Sequence, residues 1–317
     1  MREMEAARHL RRMENVLILT HVRPDGDTVG CAAALCLALR KLGKTAYLLP
    51  NPGVTENTAP YVTPYEAPLD FQPEYVVSVD IAATQLLPDN AQPYRDRIDL
   101  AIDHHPSFER FGQQNIVRPE AGACGELVYD IIRHLTAIDA EIALPLYVAI
   151  ATDTGGFQFS NTTAYTHIVA AALMETGIDY RTVNKVFFRT KSRKRLALEA
   201  DMLTNLEYFD RERVAFLYVP RSLMERLQAT ESDAEELSSL GAQIQGVDCA
   251  VTFRELGEGE WKLSVRTGDR VNATEVCRAM GGGGHARAAG CTVKAELPEV
   301  KRRCLAAIAA NVPDFEG

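Results

Sequence analysis

A chain of 317 residues and 34.9 kDa is long enough for two domains of ordinary size. Hydrophobic residues make up 46% and charged residues 24%, which excludes a disordered tail, and the longest apolar stretches, Cys31–Leu39 and Ala143–Ala151, are about half a membrane-spanning helix. A net charge of −9 speaks against coating long duplexes, where many phosphates must be neutralised, but is compatible with a small anionic substrate at one focused site.

Residues 1–15 mix Arg2, Arg8, Arg11 and Arg12 with Glu3, Glu5 and Glu14, without the apolar block of a secretion signal and too acidic for a transit peptide. Val16–Thr20 reads as a buried strand, followed by a polar loop and an Ala/Leu-rich helix over about 28–42. Strands are predicted at Thr45–Leu49, Tyr75–Val79 and Ile98–Ile102, and helices over about 123–136, 139–151 and 163–176. Strands alternating with helices predict an α/β fold: a doubly wound, mostly parallel sheet covered on both faces.

Between Arg181 and Arg195 the character changes: Arg181, Lys185, Arg189, Lys191, Arg193, Lys194 and Arg195 occur with no acidic residue among them. This is either a solvated connecting helix or a set of side chains facing a phosphate-bearing substrate between two domains. Val214–Val219 then opens a second, smaller α/β unit, in which the turn Gly257-Glu258-Gly259 joins the strands Cys249–Arg254 and Trp261–Arg266 as a hairpin. The boundary is expected within 189–210, giving a catalytic domain over 1–190, a basic helical connector over 191–210 and a substrate-binding domain over 211–317. Cys31, Cys36, Cys124, Cys249, Cys277, Cys291 and Cys304 are odd in number and never spaced Cys-x-x-Cys, so they read as buried free thiols in a reducing cytoplasm.

One placement organises the first domain. His21, Asp25 and Asp27 follow the first strand, Asp80 ends the third, and Asp103-His104-His105 end the fourth. Ligand sites of open α/β sheets lie beyond the carboxyl ends of the strands, so three segments deliver carboxylates and imidazoles to one edge. Each has a plainer explanation taken singly. Pro24-Asp25-Gly26 is a turn former, Asp27 is placed to cap the next helix, Asp80 to end a strand, and Asp153-Thr154-Gly155-Gly156 to close a helix. Taken together they are harder to dismiss, because several carboxylates at one edge repel one another without a cation. Asp and His ligands with no thiolate suit Mn²⁺ or Mg²⁺, and imidazole favours Mn²⁺. Six ligands from four segments are too many for one open site and suit two metals sharing a carboxylate, the arrangement that clamps a phosphoryl displacement.

In order and spacing, His21-x-x-Pro-Asp25-Gly-Asp27, Asp80, Asp103-His104-His105 and Asp153-Thr-Gly resemble the four motifs of the DHH phosphoesterase superfamily. The run Gly281-Gly-Gly-Gly-His285-x-x-Ala-Ala289-Gly290 is similar to the signature of the DHHA1 domain, so the resemblance spans nearly the whole chain. A two-domain chain of this length most resembles the bacterial nanoRNase (oligoribonuclease)/pAp phosphatase family. The resemblance implies an active-site cleft between the domains, with His21, Asp25 and Asp80 on one metal and Asp27, Asp80, His104 and Asp153 on the other. It further implies that Asp103 orients a histidine and that His105 contacts the scissile phosphate or assists the leaving oxygen.

The four glycines are either a flexible loop or a nest of backbone N–H groups around an anion. With Arg266 and His285, Gly282, Gly283 and Gly284 would make a second phosphate grip, and the resemblance assigns Arg266 and His285 to the substrate's terminal phosphate and nucleotide. Arg266-Thr267 stands where the family often has Arg-Ser. Phe157 and Phe159 are placed either to stack a base or to fill the core.

The expected function is Mn²⁺-dependent exonucleolytic hydrolysis of very short single-stranded oligonucleotides to 5′-mononucleotides, with removal of a phosphate from 3′,5′-bisphosphoadenosine. Long duplexes and membranes are not expected partners, and a homodimer is the candidate assembly. Hydrolysis of cyclic dinucleotides is an alternative that no residue separates. Pyrophosphatase activity rests only on Ser192-Arg193-Lys194, far upstream of the glycine run. A nucleotide sensor without turnover would fit a missing carboxylate, and none is missing.

Overall fold

The computed structural model describes residues 2–231, 233–234, 237–312 and 315. The chain divides into two compact units, 1–190 and 191–317.

In the first unit, helix α1 (Glu3–Leu10) precedes strand β1 (Val16–Leu19), helix α2 (Gly26–Lys41) and strand β2 (Ala46–Leu48). After the short helix α3 (Ala59–Val62) come β3 (Tyr75–Val79), β4 (Leu100–Asp103) and β5 (Gln114–Val117), then helices α4 (Cys124–Arg133), α5 (Ala140–Asp153), α6 (Ala164–Glu175) and α7 (Tyr180–Asn184). The strands form one sheet in the order β2-β1-β3-β4-β5, and every pairing is parallel. The order in which strands are added across the sheet reverses between β1 and β3, which places the switch point of this open sheet over those two strands.

Both faces are covered, by different means. Val16, Ile18, Val77, Val79, Leu100 and Ile102 join a core with α1, α2, α4, α5 and α6. The alternate side chains Leu17, Leu19, Val76 and Ala101 meet Ile81, Leu87, Ala91 and Ile98. Those partners come from loops and 3₁₀ turns, such as Asp89–Arg97, rather than from α-helices. Pro93 inside that segment accounts for the absence of a regular helix.

Small residues bring the helices that carry the site close together. A Cβ at Gly30 would lie 2.2 Å from the Pro145 carbonyl oxygen, so only glycine lets α2 approach α5 this closely. The first turn of α2 thereby comes next to the last turn of α5, where Asp153 sits.

The second unit runs α8 (Arg193–Thr204), β6 (Glu207–Phe209), β7 (Val214–Val219), α9 (Arg221–Leu227), β8 (Cys249–Gly257), β9 (Glu260–Thr267), α10 (Ala273–Arg278), β10 (Gly283–His285), β11 (Ala288–Lys294) and α11 (Leu297–Ala309). Its sheet has the order β10-β11-β9-β8-β7-β6, with β7 and β8 parallel and the other neighbours antiparallel. Phe216, Val251, Phe253, Leu263 and Val265 face α10 and α11, while Ala215, Leu217, Val219 and Ala250 face Leu198 and Met202 of α8 and Leu223 of α9.

Three of the seven cations of the basic run have local partners. Lys191 and Arg195 hold Glu199 at 2.8 and 3.1 Å, Lys194 donates to the Gln228 carbonyl, and Ser192 caps α8 by accepting the Arg195 N–H at 2.9 Å. Ser192-Arg193-Lys194 is therefore a helix start. All seven cysteines are buried and free, and no helix among the described residues is long and apolar enough to cross a membrane.

Candidate active site

Every candidate ligand of the first unit sits at the carboxyl edge of its sheet. Asp25 is the N-cap of α2, its Oδ1 accepting the N–H groups of Asp27 at 3.0 Å and Thr28 at 3.2 Å. The capping role open to Asp27 thus belongs to Asp25. Asp27 lies buried in the first turn of α2, its Oδ2 accepting the N–H of Cys124 at 2.7 Å and its Oδ1 the N–H of Gly125 at 3.0 Å and the Cys31 thiol at 3.2 Å.

Asp80 follows β3 in the left-handed region at φ 57°, a conformation that Asp tolerates better than most residues. Its Oδ1 is buried without a hydrogen-bond partner, which is costly for an isolated carboxylate. His104 Nε2 and His105 Nδ1 each stand 3.6 Å from that oxygen. His104 turns Nδ1 to the Ala121 carbonyl at 3.1 Å. A carbonyl only accepts, so Nδ1 carries a proton and, in the neutral ring, Nε2 presents a lone pair. That Nε2 lies 3.8 Å from Asp27 Oδ2 and 3.6 Å from Asp153 Oδ2.

Asp103 is fully buried, and its Oδ1 accepts both the backbone N–H of His105 at 2.6 Å and ring Nδ1–H at 2.8 Å. This hydrogen bond raises the His105 pKa against the opposing effect of burial. His21 Nε2 approaches Asp25 Oδ1 at 3.6 Å.

Three overlapping groups have donor atoms within 4.8 Å of one another: His21, Asp25 and Asp80; Asp27, His104 and Asp153; and Asp80, His104 and His105. Burial first, and then the neighbouring carboxylates, push Asp27 and Asp80 well above the usual carboxylate range. Burial raises Asp153 as well, against the pull of His104. A buried oxygen without a donor, surrounded by repelling carboxylates and an imidazole lone pair, fits divalent cations as the missing partners.

In the second unit the register places Arg266, Ala288 and His285 in one cross-strand row, since Ala288 pairs with both. Paired residues project from the same face, so arginine and imidazole flank a small alanine. The Arg266 guanidinium is half-buried, makes no ion pair among the described residues, and has its pKa lowered by burial.

Two of the four glycines have their N–H groups engaged within the fold. Gly281 and Gly282 donate their N–H groups to Arg278 and Cys277 carbonyls at the end of α10, at 3.1 and 2.8 Å. Gly282 is required by close approach, because a Cβ there would lie 2.2 Å from the Gly290 carbonyl oxygen. Gly283 and Gly284 pair with Gly290 and Ala289, so the run is an ordered strand edge rather than a flexible loop. Phe157 belongs to the core, 6.1 Å from Tyr147 and stacked on His167 at 5.4 Å, whereas Phe159 is 60% exposed.

A model of the DHH family N-terminal domain matches residues 15–150, and one of the DHHA1 domain matches residues 212–312. The bifunctional oligoribonuclease and PAP phosphatase NrnA of Thermus thermophilus is 32% identical over 303 residues, covering 92% of this chain and 89% of the relative. The chain belongs to the DHH/DHHA1 phosphoesterase family.

Among solved structures, an exopolyphosphatase-related protein from Bacteroides fragilis has a TM-score of 0.86 at 21% identity, over 97% of this chain and 96% of that one. RecJ in complex with Mn²⁺ from Thermus thermophilus has a TM-score of 0.56 at 15% identity, over 99% of this chain and 55% of that one. These two likenesses are ones of fold.

The DHH unit also uses a residue that sequence reasoning missed. Asn161 Nδ2 donates to the Gly122 carbonyl at 2.8 Å, the Asp153 carbonyl at 3.1 Å and Asp153 Oδ2 at 3.3 Å. It ties the end of α5 to the loop whose Ala121 carbonyl holds His104. Its one sequence signal is a polar residue in the turn-rich segment after Asp153-Thr154-Gly155-Gly156.

Proposed function

We propose that this chain is a two-metal, Mn²⁺-dependent phosphoesterase. It removes 5′-mononucleotides from oligonucleotides of a few residues and converts 3′,5′-bisphosphoadenosine to AMP. The observation that carries this reading is the unpartnered buried oxygen of Asp80, a residue that belongs to two of the three overlapping donor groups. Family membership and the name of the Thermus relative support the substrate class.

His21, Asp25 and Asp80 are assigned to one cation, and Asp27, Asp80, His104 and Asp153 to the other, with Asp80 shared. Divalent cations at such a site neutralise the phosphate and acidify water. The side chains do the rest. The Ala121 carbonyl accepts from His104 Nδ1, which leaves Nε2 as the nitrogen available to ligate. Asp103 fixes the proton on His105 Nδ1, which leaves Nε2 to contact the scissile phosphate or the leaving oxygen. In the second unit, Arg266 and His285 offer donors for a substrate phosphate, with Gly283 and Gly284 keeping the neighbouring backbone slim.

The test is an incubation with Mn²⁺ and equal concentrations of a linear dinucleotide, a long single strand, 3′,5′-bisphosphoadenosine and cyclic di-AMP, with Asp80→Ala as the blank. Preference for the linear dinucleotide, lost in the blank, is expected. Equal turnover of long and very short strands would refute the short-substrate assignment, and preference for cyclic di-AMP would replace it.

A further inference from the structure

Next to the candidate metal ligands, the first unit has a pocket of about 510 Å³, within the roughly 300–1,000 Å³ usual for small-ligand sites. Val22, Pro50, Pro52 and Pro88 form apolar walls, and Glu66 and Asp89 line it as well. Val22 directly follows His21, and Pro50–Pro52 follow β2. The pocket therefore lies on the same carboxyl edge of the sheet as the metal ligands, displaced from the switch point toward β2.

Its walls are cross-tied. Asn51 Nδ2 donates to Thr20 Oγ1 at 2.9 Å and to the His21 carbonyl at 2.8 Å, while its Oδ1 accepts the Gly53 N–H at 2.9 Å. Asn90 Nδ2 donates to the Pro50 carbonyl at 2.6 Å, joining the two proline-bearing segments. The Val22 N–H bonds the Leu86 carbonyl at 2.7 Å, and both side chains stay exposed, at 42% and 41%. The slot thus has two partly exposed apolar side chains beside it.

The chemistry narrows the ligand. Glu66 and Asp89 belong to the lining and form no ion pair among the described residues, which leaves two uncompensated carboxylates on residues of its wall. They exclude a phosphate, and an aliphatic ligand would leave them unanswered. Proline rings and valine offer C–H faces to a planar ring, and a carboxylate only accepts hydrogen bonds. Guanine presents N1–H and N2–H side by side, the donor pair that a carboxylate engages through both oxygens. Uracil has a single N3–H on that edge.

We propose that this pocket is a nucleobase subsite selective for guanine, holding one base of the substrate while its phosphodiester lies at the Asp80 cluster. The assignment rests on the phosphoesterase reading for its substrate, but not for its binding chemistry.

Two arms test it. In the first, Mn²⁺-loaded full-length protein hydrolyses pGpG and pUpU, and the ratio of their kcat/KM values is compared between wild type and Glu66→Gln/Asp89→Asn. In the second, guanosine and uridine are titrated into metal-free protein by calorimetry. A charge-assisted pair predicts a wild-type guanine preference of at least about tenfold in both arms, falling toward unity in the double variant. Equal kcat/KM for the two dinucleotides in wild type, or guanosine binding unaltered in the variant, overturns the subsite. Selective guanosine binding without turnover of either dinucleotide would overturn the hydrolytic reading and leave the subsite standing.

Discussion

The Asp27 carboxylate accepts the Cys124 N–H at 2.7 Å and so caps a helix that begins 97 residues later in the chain. Helix α4 has no side-chain cap of its own, because Ala123 occupies its N-cap position. The same carboxylate is a candidate metal ligand, so the positive end of α4 is built into the site and offsets part of the crowding of negative charge.

That double role separates two substitutions. Asp27→Asn keeps one of the two acceptor oxygens for α4 and removes a buried charge, so without metal it should unfold close to the wild-type temperature. Asp27→Ala also loses the cap and should be less stable than Asp27→Asn by about 1 kcal/mol. Both should lose the rise in Tm that Mn²⁺ gives the wild type. Thermal unfolding in EDTA and in Mn²⁺ checks this; indistinguishable variants in EDTA would remove the capping role.

Asn161→Ala removes the amide that joins Asp153 to the loop behind His104. Loss of a group that orients metal ligands usually weakens metal affinity or activity by about 10–100-fold. The expected result is a Mn²⁺ dissociation constant raised by that order, measured by titration of the apoprotein. Unchanged affinity would make Asn161 a loop tie and nothing more.

Asp103→Asn keeps the size of the side chain but weakens its hold on the His105 Nδ1–H. With Asp103 outside both assigned ligand sets, kcat should fall about 10–100-fold while Mn²⁺ stoichiometry stays as in wild type. Loss of a bound ion in this variant would mean that Asp103 is itself a ligand.

Arg266→Gln removes a half-buried charge that has no ion pair among the described residues, so little stability should be lost with it. If Arg266 grips a substrate phosphate, KM for a linear dinucleotide should rise about tenfold or more, the scale of a hydrogen bond to a charged group. An unchanged KM would refute the grip.

Much of this was legible in the sequence, for identifiable reasons. Buried parallel strands are short apolar runs, and Val16–Leu19, Tyr75–Val79 and Leu100–Asp103 emerge almost as predicted. Chemistry at strand ends was legible because the polar residues directly follow those runs. β5 and β10 escaped notice because Gln114–Val117 and Gly283–His285 are short edge strands, exposed or partly so, without an apolar signature. The glycine run leaves loop and nest open because composition does not show where N–H groups point; only the fold ties Gly281 and Gly282 to α10. Asn161 escaped because its three acceptors come together through tertiary structure, as does the covering of the second sheet face by 3₁₀ turns.

The most direct test of the Asp80-centred cluster is the number of Mn²⁺ ions that the metal-free protein takes up, measured by equilibrium titration on wild type and Asp80→Ala. Two ions per chain in the wild type, with at least one lost in the variant, are expected from three overlapping donor groups, two of which include Asp80 with its unpartnered oxygen. A wild type that binds one ion or none, or an Asp80→Ala protein that still binds two, would contradict it.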